Sequence, residues 1–446
     1  MSTNPCRSRR LRNRTIRDSP DTTEATSSTM TPSTDTPPRP AATDASSPPV
    51  PDATAPGRRT GDAARLRRVA IFRTNVLSIS ETFIRNQACA IRVWQPLLVG
   101  FEEAPVCLAT PGIARHLAPP GRSRILRALR TWAWRPHTRL VQLLREQDVA
   151  LVHAHFGTDA TDIWPSVRAA GLPMIVTLHG YDINVHREWW ESGHGGRHRR
   201  AYPQRLLKMA RDPAVSFIAV SDAIRRRAID YGIPPSKIAV AYIGVDVERF
   251  RPAGLPLAQR PRRILFVGRM VEKKAPLTMI RAFARVCELV HDAELVMIGE
   301  GPLLQEARLL ADALGAPVQF LGSRSSDEVL AQLHEARIFC LPSLTAGNGD
   351  AEGLPIAILE AQACGVPVVT SISGGSLEGI RDSETGCALP SHDAEAAARI
   401  LARLLVDDAA LSRMGRAASA FMRSRFDIDR CTRTLEQIYD ERVGSR

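Results

Sequence analysis

Two glutamates carry the most chemistry for their spacing: Glu352 and Glu360, in the run Glu352-Gly353-Leu354-Pro355-Ile356-Ala357-Ile358-Leu359-Glu360-Ala361. Carboxylates accept hydrogen bonds from hydroxyls, so such a pair suits a sugar or a ribose. Taken alone, the spacing also fits two solvated helix carboxylates. Upstream, Gly268-Arg269 is followed by Lys273-Lys274. Arginine grips phosphate oxygens as a planar fork, lysine as a point charge. Gly299-Glu300-Gly301-Pro302, Gly322-Ser323 and Gly374-Gly375 with Glu378 follow further along. Glycine lets backbone come close to a ligand. Together these residues describe a site for a phosphorylated polyol. Its candidates are Gly268, Arg269, Lys274, Gly299, Gly301, Ser323, Glu352, Gly353, Leu354, Glu360 and Glu378. The helix that Pro355 opens adds a positive N-terminal end, which suits a diphosphate.

Histidines supply a second set. His179 follows the apolar run 174–178, and a neutral imidazole there could hydrogen-bond a sugar or a leaving group. The alternative is a core histidine. His153 and His155 have H-x-H spacing, which can bind zinc, but no third ligand stands near them in the sequence. Shaping of an acceptor site is the expectation for them.

These residues need strands that end just before them. The apolar runs 264–267, 295–298, 318–321, 338–341 and 366–369 alternate with amphipathic helical stretches. A first alternation precedes them. Strands are expected at 69–72, 149–152, 174–177 and 217–220, with helices opening at Ser80-Glu81, spanning 164–170, and capped by Ser221-Asp222. Strand–helix alternation of this kind builds parallel sheets covered on both faces. Ligands bind outside the carboxyl ends of such strands, where the candidate residues fall. The Pro- and Gly-rich stretch 249–261 reads as a hinge. The expected fold class is α/β, with two Rossmann-like domains facing a central cleft and a disordered N-terminal tail. The boundaries are 1–66 for the tail, 67–255 and 256–425 for the domains, and 426–446 for a C-terminal helix that crosses back to the first domain. The tail is rich in Ser, Thr, Pro and Ala, with arginines from Arg7 to Arg17. It has too little apolar surface to offset chain entropy. Its alternative role is a basic tether.

Composition narrows the classes. At 446 residues the chain can hold two or three domains. It has no apolar run long enough to span a bilayer and no secretory signal pattern. Its eight cysteines are scattered, without zinc spacing, and read as reduced thiols of a cytoplasmic protein. A formal charge of +12 favours anionic partners. No nucleic-acid-binding motif is present, so phosphate substrates or acidic lipid are the expected anions, and nucleic acid is not.

The run from Val267 to Glu378 resembles the retaining family-four glycosyltransferases of the two-domain GT-B fold. The matching elements are Val267-Gly268-Arg269 with Lys274, Gly299-x-Gly301-Pro302, Pro342-Ser343, Glu352-x7-Glu360-Ala361, Gly365-Val366-Pro367 and Gly374-Gly375-x-x-Glu378. The segments 80–84, 153–157, 177–182 and 244–246 are similar to the subgroup that makes bacterial exopolysaccharides, colanic-acid-type transferases included. Ala275 stands where the family has glycine, and Leu354-Pro355 where it has Phe-Gly. The resemblance implies that Arg269 and Lys274 hold the donor diphosphate, Glu352 the sugar hydroxyls and Glu360 the ribose. It places His179 near the sugar's primary hydroxyl. It implies a UDP- or GDP-linked nucleotide sugar as donor, no cofactor, no metal and retention of anomeric configuration. As catalytic residues it marks His179, Arg269, Lys274 and Glu352.

The acceptor is less legible. A lipid-linked saccharide on polyprenyl diphosphate is what the resemblance implies. A soluble or small lipid acceptor, and a sugar-nucleotide-binding scaffold, are the alternatives. The basic loop Gly193–Arg200 could bind a phosphorylated acceptor or be plain solvated loop. The stretch Arg122–Arg145 could lie on acidic membrane at the inner face of the cell membrane, or face the core, and Pro136 would interrupt it.

Overall fold

The computed structural model describes residues 66–78, 81–118, 133–390 and 393–444. Residues 1–65 of the tail expected at 1–66, Ser80, and residues 122–132 of the basic stretch lie outside them.

Two parallel sheets dominate. The first uses β1 (Arg68–Phe72), β3 (Gln95–Gly100), β5 (Ala114–Leu117), β6 (Val149–His155), β7 (Met174–Leu178), β8 (Val215–Ala219) and β9 (Ile238–Val240), in the order β5-β3-β1-β6-β7-β8-β9. Two-residue strands β2 (Asn75–Val76) and β4 (Glu102–Glu103) pair beside it. The second sheet uses β10 (Arg263–Val267), β11 (Glu294–Ile298), β12 (Val318–Gly322), β13 (Ile338–Leu341), β14 (Val368–Ser371) and β15 (Gly386–Leu389), ordered β12-β11-β10-β13-β14-β15. In each sheet the order reverses beside the first strand, between β1 and β6 and between β10 and β13. Such a switch point opens a crevice at the strands' carboxyl ends.

Alternation along each strand supplies the cores. On β1, Ala70 and Phe72 pack on one face, and Val69 and Ile71 on the other. The second sheet and its helices share one core, with Phe266, Phe283, Phe339 and Met297 fully buried. Local signals set the helix ends. Ser221 Oγ accepts the Ile224 N–H, and Gly232 at φ 106° closes the helix Asp222–Tyr231. Ser325 and Glu328 form a reciprocal capping box.

One helix is longer than the expected 164–170. It runs from Gly157 to Ala170 and passes through Pro165. Proline has no N–H, so the carbonyl of Thr161 loses its helical partner. Trp134 Nε1 donates to that carbonyl at 2.7 Å and takes the missing partner's place.

The last helix, Ile428–Gly444, leaves the second sheet and docks on the first. The crossing is pinned by Val245 N–H to the Phe426 carbonyl and Ile428 N–H to the Val245 carbonyl, at 2.7 and 3.0 Å. Glu436 Oε1 then accepts the backbone N–H groups of Arg92, Val93 and Trp94, and Leu435 and Tyr439 complete the core face of Val69 and Ile71. The Asp427-x-Asp429 pair lies at the start of this helix, where Asp427 Oδ1 accepts the Asp429 N–H.

Candidate active site

The cleft begins at the switch point of the second sheet. Gly268 and Arg269 leave the carboxyl end of β10, and a short 3-10 turn carries Lys273 and Lys274. Ala275 follows in the left-handed region, at φ 50° and ψ 49°. A side chain there is strained by about 1 kcal/mol, which is the physical reason for glycine at this position in the resembled family. The helix Ile356–Ala363 faces these cations across the loop after β13. Glu352 precedes that helix in extended loop, and Glu360 sits within it, so only one of the two glutamates is helical. Leu354-Pro355 leads the chain into the helix, with Pro355 at the cap position.

The charged groups pair within this wall of the cleft. Lys274 Nζ lies 2.9 Å from Glu352 Oε1, and Ser343 Oγ donates to the same oxygen. Lys273 Nζ lies 3.1 Å from Asp350 Oδ1. Burial pushes the Glu352 carboxyl up, but Lys274, Lys273 and the two hydrogen bonds outweigh it and hold the group below its usual value. Asp350 is pushed up by burial, with Lys273 opposing. Burial also raises Glu360, to about 7, against the pull of Arg249. The Arg269 side chain has no ion-pair or hydrogen-bond partner among the described residues, and the residue is exposed.

The first sheet supplies the opposite wall. Phe83, Phe156, His179 and Tyr181 line a cleft of about 500 Å³ together with Gly268, Arg269, Lys273, Lys274, Glu352, Gly353, Leu354 and Glu360. Asp182 holds the turn that carries His179. Its carboxylate accepts the backbone N–H groups of His179, Gly180 and Gly157 at 2.7–3.1 Å. Arg73 follows β1 directly. It binds Glu81 through Nε and Nη2 and Asp159 through Nη1, and it donates to the His155 carbonyl. Its guanidinium also stacks over Phe156, 4.4 Å from the ring centroid.

Four candidates fall elsewhere. Gly299, Gly301 and Ser323 do not line this cleft. Gly299 and Gly301 pack under the Gly268–Met270 backbone, where any Cβ would collide with the carbonyls of Gly268 and Met270. They support the cation loop from behind. Glu378 is also absent from the wall. Its carboxylate accepts the N–H groups of Asp222 and Ala223, both at 2.8 Å, and the Tyr242 hydroxyl. It caps a helix of the first sheet's layer and so ties the two halves together. The contact is tightened by glycine. A Cβ on Gly375 would strike the Gly353 carbonyl, and one on Gly353 the His179 carbonyl.

His153 and His155 lie within β6, not after it, and both are buried. Among the described residues no group of three or more His, Cys, Asp or Glu side chains converges as a metal site. The described part of the basic stretch folds as the helix Thr138–Glu146, whose Leu140 and Leu144 face the core. The loop after Gly193 is exposed and includes a short 3-10 turn at Arg197–Arg199. The described cysteines are all free. No described helix is long and apolar enough to cross a membrane.

Arg73, Asp350 and Tyr181 were not singled out from the sequence, and Lys273 was noted only beside Lys274. The signal was present for Arg73, a cation at the carboxyl end of the first strand, as Arg269 is in the second sheet. Asp350 stands two residues before Glu352 in a polar loop, and nothing in that loop marks it.

Comparison with known proteins agrees with this geometry. The profile of the group 1 glycosyl transferases matches residues 248–421, and that of Glycosyltransferase Family 4 matches residues 94–249. The amylovoran biosynthesis glycosyltransferase AmsK of Erwinia amylovora is 32% identical over 297 residues, which is 66% of this chain and 70% of that protein. The putative colanic acid biosynthesis glycosyltransferase WcaL of Escherichia coli is 36% identical over 188 residues, 42% of this chain and 46% of its own length. The structure of Anabaena Alr3699/HepE in complex with UDP and glucose superposes with a TM-score of 0.69 at 17% identity, covering 84% of this chain and 99% of that one. The chain belongs to the family-four glycosyltransferases and has their two-domain GT-B fold.

Proposed function

We propose that the protein transfers a hexose from a UDP- or GDP-linked sugar to a saccharide carried on polyprenyl diphosphate, in the assembly of a surface polysaccharide or exopolysaccharide. The observation that carries this reading is that Arg269, Lys273, Lys274 and Glu352 line one cleft, with Lys274 paired to Glu352. Each lysine has a carboxylate partner, and Arg269 has none. An arriving diphosphate would bind Arg269 and draw Lys274 from Glu352. The freed carboxylate then accepts the sugar's hydroxyls. As the bond from the anomeric carbon to the diphosphate breaks, charge grows on the β-phosphate, where these cations stabilise it. The acceptor oxygen attacks from the same face and its proton passes to the departing phosphate, so configuration is retained. No metal and no cofactor beyond the donor enter this scheme. Glu360 holds the ribose, and His179 faces the sugar from the first sheet.

Relatives named for amylovoran and colanic acid synthesis support the polysaccharide assignment, and the HepE complex with UDP supports a nucleotide donor. The proposed anionic acceptor and the chain's formal charge of +12 support a site of action in the cytoplasm, at the inner face of the membrane. The test is nucleotide release by the full chain from a panel of UDP-, GDP- and ADP-sugars, with and without membrane lipid extract. Release from one donor, stimulated by extract and reduced about 100- to 1,000-fold in Glu352→Ala, is expected. A folded protein that neither releases nor binds any nucleotide would overturn the reading.

A further inference from the structure

Three histidines line up behind the cleft. His153 and His155 are two residues apart on β6, so their side chains share one face of the sheet. β7 pairs with β6 so that His153 is opposite Ile175 and His155 opposite Thr177. The diagonal step on that face therefore takes His153 to Thr177 and His155 to His179. Both diagonals are hydrogen bonds. His153 Nε2 meets Thr177 Oγ1 at 2.7 Å, and His155 Nδ1 meets His179 Nε2 at 3.0 Å. At the inner end, Tyr439 of the terminal helix bonds His153 Nδ1 at 2.6 Å. The His153 and His155 rings lie 4.3 Å apart and those of His155 and His179 5.2 Å apart.

Burying two imidazoles, His153 and His155, in a sheet core has a cost that apolar residues would avoid. His153 is bonded through both ring nitrogens and His155 through Nδ1, and the string ends at His179 on the cleft wall. Because His179 Nε2 is held by His155, only Nδ1 is left to reach a ligand. One proton lies between the two rings, so the partner's tautomer sets whether Nδ1 donates or accepts. Phe83 and Phe156 flank the His179 ring at 5.1 and 4.4 Å and block other orientations.

We infer that His155 is a positioning residue, which fixes the ring orientation and tautomer of His179 so that a single Nδ1 state faces the sugar. The catalytic meaning of this rests on the proposed glycosyl transfer; the fixing itself does not. Burial keeps the string neutral, and for His155 and His179 nearby positive charge adds to it. Arg73 bonds the His155 carbonyl and is itself held by Glu81 and Asp159, and Tyr439 and Thr177 offer only hydroxyls.

The test uses the full chain with 15N-labelled histidine. A 15N–15N coupling across the bond from His155 Nδ1 to His179 Nε2 is expected, with one neutral tautomer of His179 between about pH 5.5 and 8. Absence of that coupling, or a titrating His179, overturns the inference without any variant. His155→Leu should release His179 into mixed tautomers. It should also lower kcat by about 10- to 100-fold, with donor KM nearly unchanged. The assay is nucleotide release from UDP-glucose or GDP-mannose. His155→Asn keeps a hydrogen-bonding atom near the place of Nδ1 and should restore most of both. Unchanged tautomer and kcat in a folded His155→Leu protein overturn the inference. If neither donor is turned over, the spectra still decide the positioning, while the missing turnover counts against glycosyl transfer.

Discussion

The two sheets treat the charges beside the cleft differently. In the first, Arg73 is saturated: it bonds two carboxylates and a carbonyl and stacks on Phe156. In the second, Lys274 and Lys273 each hold one carboxylate, and Arg269 holds none. Saturated groups fix shape, and groups with donors to spare can exchange partners. The second sheet carries the exchangeable set, which suits the proposed diphosphate donor. The first sheet carries a rigid wall, with its histidines locked in series.

The sharpest way to break this contrast is Arg73→Met. It strands Glu81 and Asp159, both nearly buried, and should cost about 3–5 kcal/mol in urea unfolding. A loss under about 1 kcal/mol would show that Arg73 is no more structural than the lysines.

Acid gives the next effect. Burial depresses His153 to about 3, and holds His155 and His179 well below the ordinary histidine value, with neighbouring charges adding to it. The unfolded chain takes up these protons first. Stability is therefore full above about pH 6.5 and falls as pH drops toward 3, with His153 alone costing about 2 kcal/mol by pH 5. Replacing His153 with glutamine should flatten that limb of the stability–pH curve. An unchanged slope would remove the histidines from the account.

The smallest effect lies in the second sheet. Ala275→Gly relieves a left-handed residue and should raise stability, by about 1 kcal/mol at most, since glycine's freer unfolded chain offsets part of the gain. A destabilised variant would mean that the Ala275 methyl, which is buried, contributes more by packing than it loses by strain.

Much of the second half was legible because its strands are short apolar runs with chemistry at their ends. β10, β11, β12 and β13 fall within a residue of their expected places. The strands left unread are mostly edges. β5, β9 and β15 each have one neighbour, and the exposed pattern of Ala114–Leu117 carries no alternation to read. β3 is internal, but it opens on Gln95-Pro96, which reads as a break. Among site residues, type was legible and direction was not. A glycine after a strand signals close approach, and at Gly299 the thing approached is another backbone. Glu378 was read as a ligand group because its partners, Asp222 and Ala223, lie 155 or more residues away. The same distance hid the link from Tyr439 to His153.

That last link bears on how the protein is made. One core face of the first domain is closed by Leu435 and Tyr439, and Glu436 satisfies the N–H groups of Arg92–Trp94. During synthesis, roughly 200 residues must follow β9 before those groups leave the ribosome, a wait of about 10–40 seconds. Through that interval the first domain exposes an unfinished apolar face. A chain cut short before Leu435 never covers it, so a truncated product exposes the apolar face of Val69 and Ile71 to chaperones and proteases.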